Sequence, residues 1–164
     1  IEQNDGPLKN EEILELFYSS FQKGDAEGMS ACYHDSVTFT DPAFGRLAGK
    51  EVGAMWAMLL SRKESELQIE YSGISATEKS GEAHWIATYK YGPQKRPVVN
   101  KIRSKFKFRD GKIIEQVDDF DLWAWSRQAL GPVGLLLGWA PLLRNKIQAM
   151  ARKALSKHMN IQSS

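Results

Sequence analysis

The chain is short of the residues that build covalent or metal frameworks. It has one cysteine, Cys32, and three histidines in 164 residues, so an internal disulfide scaffold is excluded and a thiolate zinc cluster lacks the ligands it needs. His34-Asp35 and the Asp118, Asp119, Asp121 group lack the His spacing of a zinc site, and no metal or cofactor is expected. Glycines are scattered, without the clustered spacing that cradles a phosphate. The apolar stretch 131–143 contains Pro132 and Pro141 and falls short of the ~20 residues a membrane-crossing helix needs. The N-terminus opens polar, Ile1-Glu2-Gln3-Asn4-Asp5, with no secretory signal pattern. With the single cysteine, this suits a reducing, cytoplasmic setting.

Acidic residues are missing from one region. None follows Asp121, while Arg127, Arg144, Lys146, Arg152, Lys153 and Lys157 lie beyond it. Those six cations leave about −4 to the rest of a chain whose net charge is +2. An anionic partner should therefore meet the C-terminal segment. The remaining composition, 42% hydrophobic and 26% charged, is that of an ordinary globular domain large enough to bury a core.

Hydrophobic periodicity divides the chain. Ile13, Leu14, Phe17, Tyr18 and Phe21 recur at helical spacing after Asn10, expected as the N-cap, and Gly24 ends that helix. Asp25 can cap a short second helix with Met29, Cys32 and Tyr33 on one side. Gly45 and Gly49 bracket an expected loop before a third helix, striped by Val52, Met55, Trp56, Leu59 and Leu60. After Arg62 the period changes to two. Leu67, Ile69 and Tyr71 alternate, then Ala83, Trp85, Ala87, Tyr89 and Tyr91 after a turn at Ser80-Gly81. Beyond a hairpin loop at 92–96, Val98, Asn100, Ile102, Ser104, Phe106 and Phe108 share one face, with Lys101, Arg103, Lys105 and Lys107 on the other. Asp110-Gly111 is a hairpin turn. The last strand, about 112–120, is expected to turn Ile114, Gln116, Asp118 and Phe120 inward. Helices first and an antiparallel meander second predict an α+β fold, its sheet curled around the helices. A short helix is expected over 122–130, followed by a basic amphipathic helix from Leu142 with Leu143, Ile147, Met150, Ala151, Ala154 and Leu155 on its apolar side.

Chemistry is suggested where polar groups interrupt inward faces. Val37-Thr38-Phe39-Thr40-Asp41-Pro42-Ala43-Phe44 places one carboxylate among apolar neighbours. Kept from water, such a carboxylate has a raised pKa and can take and return protons near neutral pH; the alternative is an Asp that merely turns the chain. Asn100, Ser104, Gln116 and Asp118 fall on neighbouring inward faces. A buried polar group without a partner costs ~1–3 kcal/mol, so four together suggest either a polar cavity lining or a structural hydrogen-bond network. Asp118 most needs a partner, water or a chemical task.

Phe17 to Asp25, Met29 to Tyr33, Asp41-Pro42, then Phe106 to Glu115 and Asp118 together resemble the SnoaL-like and ketosteroid-isomerase-like branch of the nuclear-transport-factor-two-like superfamily. The resemblance runs from about residue 8 to 125. It implies a cone of curved sheet and three helices around an apolar cavity, commonly in dimers. It also implies that Asp41 matches the general base of ketosteroid isomerases and Asp118 the last-strand acid of SnoaL-type cyclases. The isomerase oxyanion hole does not carry over. Phe17 falls at the phenol-donor position, with Tyr18 one residue away, and Ser104 falls where isomerases carry a protonated acid. Steroid isomerisation by the usual route is therefore disfavoured.

The expected organisation is a cone-shaped domain over 1–130 and a helical extension over 131–164 in the same folding unit. The expected site pairs Asp41 and Asp118 across a cavity. Asn100, Ser104 and Gln116 would orient a carbonyl or water, and Phe17, Tyr18, Tyr33, Phe39, Trp56, Trp85, Phe106 and Phe120 would complete the wall. The expected ligand is a small hydrophobic molecule, handled by a cofactor-free isomerase, cyclase or dehydratase or, alternatively, held by a non-catalytic binding module. A homodimer is expected. Nucleic acid is not, because the outward basic row lacks neighbouring aromatics. His84 alternates outward. The C-terminal helix, 142–158, is expected to cover the cone; completing a dimer and lying on an anionic membrane surface are the alternatives.

Overall fold

The computed structural model describes residues 9–133 and 141–162. Helices α1 (Asn10–Gln22) and α2 (Ala26–Ser30) lead into strands β1 (Tyr33–Asp41) and β2 (Gly45–Ala48). Helix α3 (Lys50–Ser61) and a 3-10 turn (Lys63–Ser65) precede β3 (Gln68–Ala76), β4 (Ser80–Tyr91), β5 (Arg96–Arg109) and β6 (Lys112–Asp119). Helices α4 (Leu122–Leu130) and α5 (Pro141–Gln162) close the chain. The α+β expectation holds: one curved six-stranded sheet, ordered β2-β1-β6-β5-β4-β3, packs against the helices.

Topology decides where the carboxylates lie. β6 runs antiparallel to β5, with Ser104 opposite Asp118. On its other side β6 runs parallel to β1, pairing Phe39 with Gln116 and Thr40 with Val117. One step further in that register, Asp41 comes alongside Asp118 on the same face of adjacent strands, which are spaced ~4.8 Å apart. The two acids are therefore side by side, not on opposite walls of a cavity. Meander reasoning could not supply this, because a parallel pair joins the two ends of the domain.

Four local expectations are corrected. Lys9, not Asn10, is the N-cap of α1; the Asn10 amide instead donates to Thr77 O and Glu78 O at 2.8 and 2.9 Å. The segment after Gly45 is an edge strand, β2, paired with β1. The turn before β4 lies at Thr77–Lys79, where the Thr77 hydroxyl takes the amides of Lys79 and Ser80. In β6 a bulge opposite Lys107 and Phe108 breaks the alternation, so Ile113 is buried in place of Ile114 while Gln116 and Asp118 still face inward. Asp25 does cap α2, accepting from Gly28 N at 2.9 Å. Asp110 and Gly111 turn the β5–β6 hairpin with φ of 52° and 72°, the positive pair a tight hairpin turn requires.

The core is aromatic. Phe17 sits edge-on to Tyr33 at 5.5 Å and to Phe106 at 6.3 Å between ring centres, and Tyr18 stacks on Tyr71 at 5.3 Å. Helix α5 lays Leu143, Ile147 and Leu155 onto the domain. Met150, expected on that apolar side, is 56% exposed. Much of the apolar run 131–143 lies outside the described residues. Among the described residues no helix is long and apolar enough to cross a membrane.

Candidate functional site

Beneath the sheet lies a pocket of about 510 Å³ whose lining includes Asp41, Trp56, Trp85, Asn100, Asp118 and Phe120. Arg62, Tyr89, Tyr91 and Trp125 line it too, and α5 contributes Ile147, Met150, Ala151 and Ala154. The other expected wall residues lie elsewhere. Phe17, Tyr18, Tyr33, Phe39 and Phe106 fill the core with almost no exposed surface, and Ser104 and Gln116 lie fully buried behind Asp118. The reason is steric: α1 packs its aromatic stripe straight into the sheet, and alternation alone cannot tell a packed inward side chain from one facing a void.

Asp118 ends a hydrogen-bond network whose direction two tryptophans set. An indole N–H can only donate. Trp85 Nε1 donates to Ser104 Oγ at 2.9 Å, so the Ser104 proton goes on to Asp118 Oδ1 at 2.6 Å. Trp56 Nε1 donates to the Tyr33 hydroxyl at 2.8 Å. That hydroxyl in turn donates to Gln116 Oε1 at 2.5 Å, and Gln116 Nε2 donates to Asp118 Oδ1 at 3.0 Å. Both chains end on the same oxygen. Oδ2 receives no donor among the described residues and is left to the pocket, so a proton carried by Asp118 belongs there.

Asp118 is 3% exposed, and burial pushes its carboxyl up to about 7. The Ser104 and Gln116 bonds favour the ionised form and oppose the rise, and the Asp41 charge adds to it. Asp41 closes its own turn, accepting from Ala43 N at 2.9 Å and Phe44 N at 2.6 Å through Oδ1. Burial raises it to about 6 against those two amide bonds. The turn-forming role and the raised carboxyl thus coexist in one residue, and neither sequence alternative excluded the other. Helix α5 holds this turn from outside: Gln148 Nε2 reaches Pro42 O at 3.3 Å, and Arg152 reaches Phe44 O at 3.0 Å and Arg46 O at 3.1 Å.

The Tyr18 hydroxyl is buried without a hydrogen-bond partner. Burial holds its ionisation far above the ordinary phenol value; the Asp118 charge adds to the effect, and the neighbouring Ser104 hydroxyl, too poorly aligned for a full hydrogen bond, opposes it. Tyr89, Arg62 and Trp125 were not singled out from the sequence. Tyr89 was legible only as the fourth inward residue of its strand, and Arg62 only as the residue where the period changes. Among the described residues no three His, Cys, Asp or Glu side chains converge to hold a metal ion.

No curated protein matches the sequence. Among solved structures, a protein of Silicibacter sp. assigned as a polyketide cyclase superposes with a TM-score of 0.62 at 18% identity, over 76% of this chain and 98% of its own. An M. tuberculosis LEH-like epoxide hydrolase gives 0.56 at 24% identity, over 77% and 93%. A Catenulispora acidiphila protein with a ketosteroid isomerase-like fold, in complex with trimethylamine, gives 0.61 at 13% identity, over 79% and 98%. At these identities the likeness establishes the fold. The SnoaL-like domain matches residues 14–116, more than half of the sequence, and the chain belongs to that family.

Proposed function

We propose that the chain is a cofactor-independent acid–base enzyme, of isomerase, cyclase or dehydratase type, acting on a hydrophobic carbonyl compound in this pocket. The observation that carries the proposal is the pair Asp41 and Asp118, adjacent on one sheet face, both lining the pocket, with carboxyls raised to about 6 and about 7. Neighbouring carboxyls resist sharing two negative charges, so one ionises first and the other stays neutral. Asp41, lower and partly stabilised by two amides, is the base. Asp118, with its free Oδ2, is the acid.

Asp41 removes a proton from carbon beside the carbonyl. The C–H electron pair becomes the new C=C bond, and the carbonyl pair moves onto oxygen. Asp118 delivers its proton to a carbon of the resulting enolate and the pair returns; the proton on Asp41 then passes through solvent to Asp118, which restores one ionised and one neutral carboxyl. Incorporation of solvent deuterium into an enolisable aromatic ketone tests this. Exchange should be catalytic in the wild-type protein and fall at least tenfold in Asp41→Asn and Asp118→Asn; exchange unchanged in both variants refutes it.

A non-catalytic binding module is the second reading. It is favoured by the self-sufficiency of the Trp85-Ser104 and Trp56-Tyr33-Gln116 chains, which satisfy one another as a structural network does. A ligand retained through purification, with no exchange by any ketone, decides for it. Dimer formation, compartment and membrane contact stay with the expectations from sequence.

A further inference from the structure

Enolate chemistry needs donors for the developing oxygen charge, and the resemblance to ketosteroid isomerases puts Phe17 and Ser104 at the positions where such donors are expected. Both are fully buried and neither lines the pocket. A different wall offers donors. Tyr89, inward on β4 and half-buried, lines the pocket, and its hydroxyl oxygen accepts from Trp125 Nε1 at 2.5 Å. Because the indole can only donate, the phenol keeps its own proton, which meets no acceptor among the described residues. A donor already received on the oxygen also strengthens the bond that hydroxyl gives.

Arg62, half-buried just past the end of α3, also lines the pocket, close enough for its charge to act on Tyr89. Its guanidinium makes no ion pair or hydrogen bond among the described residues, while Lys90, also in the lining, pairs with Glu66 at 2.9 Å. The Arg62 charge reaches Tyr89 and so does that of Asp41, in opposite senses, while burial dominates and pushes the phenol up to about 12. Tyr89 is therefore a neutral donor at physiological pH. Glu64, Lys90 and Tyr91 also line the pocket.

We propose that Tyr89, held by Trp125, and Arg62 form the oxygen-binding subsite of the pocket, and that the ligand is an apolar ring compound bearing one oxygen that is, or becomes, an enolate- or phenolate-type anion. This rests on the acid–base function proposed above and specifies which end of the ligand lies where. The oxygen lies between Tyr89 and Arg62, within range of the base Asp41. The acid Asp118 serves the carbon skeleton beyond it. Trp125 is a positioning residue: it touches the phenol and fixes which way its proton points.

The test compares binding of 2-naphthol and naphthalene, which share a ring system and differ by the oxygen, by fluorescence titration. The wild-type protein should prefer 2-naphthol by about tenfold, the worth of one or two good hydrogen bonds. Tyr89→Phe keeps the ring and should lose most of that preference; Arg62→Met should lose part of it. Trp125→Phe should weaken the preference alone and change nothing further in the Tyr89→Phe background, whereas a purely structural tryptophan would lower both affinities alike. Failure of the wild-type protein to bind 2-naphthol, equal affinity for the two probes, or a preference undiminished in Tyr89→Phe overturns the assignment. Deuterium exchange on the same variants keeps the two proposals apart. Exchange that needs Asp41 and Asp118 but ignores Tyr89 leaves the enzyme standing and removes this subsite. A Tyr89-dependent naphthol preference without exchange does the reverse.

Discussion

Trp85 Nε1 donates to Ser104 Oγ at 2.9 Å, which leaves the Ser104 proton free to be taken by Asp118 Oδ1 at 2.6 Å. A donor-only indole thus sets the polarity of a buried chain that ends on the candidate acid. The Trp56-Tyr33-Gln116 chain repeats the arrangement from the other side.

Replacing Ser104 by alanine removes a bond that favours the ionised carboxylate, so the Asp118 titration should move further above about 7. The Trp85 N–H then loses its acceptor, at a cost of about 1–2 kcal/mol of stability. Carboxyl-carbon NMR and urea unfolding read the two effects. A downward shift would contradict the direction assigned to the bond.

Stability should fall as pH rises. In the folded chain Asp118 titrates at about 7 and Asp41 at about 6, both above their ordinary value of 3.8. Between about pH 4 and 7 the folded state therefore holds more protons than the unfolded one, and raising pH through that window favours unfolding. Thermal melts should show a higher Tm at pH 5 than at pH 8. Asp118→Asn imitates the neutral acid and should flatten most of that slope, leaving a protein more stable than wild type at pH 8. An identical slope in the variant rules out Asp118 as its source.

Tyr33→Phe cuts the second chain at its centre, leaving Gln116 Oε1 without its donor and Trp56 Nε1 without its acceptor. Two buried groups orphaned together should cost about 2–4 kcal/mol in urea unfolding. A loss under about 0.5 kcal/mol means that the chain is not a buried network.

The inward faces were legible in the sequence, and period-two alternation delivered Trp85, Asn100 and Asp118 to the pocket side; Phe120 lines the pocket from just beyond the end of β6. Asp41 was legible from its apolar context and the following Pro42. The closeness of the two acids was not, because it depends on a parallel β1–β6 pairing between distant segments. The lining was over-assigned at Phe17, Tyr18, Tyr33, Phe39 and Phe106, since periodicity reports direction and not the space ahead of a side chain. Tyr89 and Arg62 were missed for the converse reason. Each looked ordinary along its own element and gained meaning only from Trp125 and the pocket.

Helix α5 should govern the Asp41 turn. Arg152 holds the carbonyls of Phe44 and Arg46, and the same turn presents the amides of Ala43 and Phe44 to Asp41. Arg152→Ala should speed hydrogen exchange at those two amides by about fivefold or more, the effect of losing about 1 kcal/mol locally. Unchanged exchange would show that the turn holds itself.

The most direct measurement is a carboxyl-carbon NMR titration of Asp41 and Asp118 in the wild-type protein and in Asp41→Asn. Titrations at about 6 and about 7 are expected, with the Asp118 value falling once the neighbouring charge is removed. Both groups titrating near 4, with Asp118 indifferent to Asp41→Asn, would mean two solvated and independent acids and no shared site.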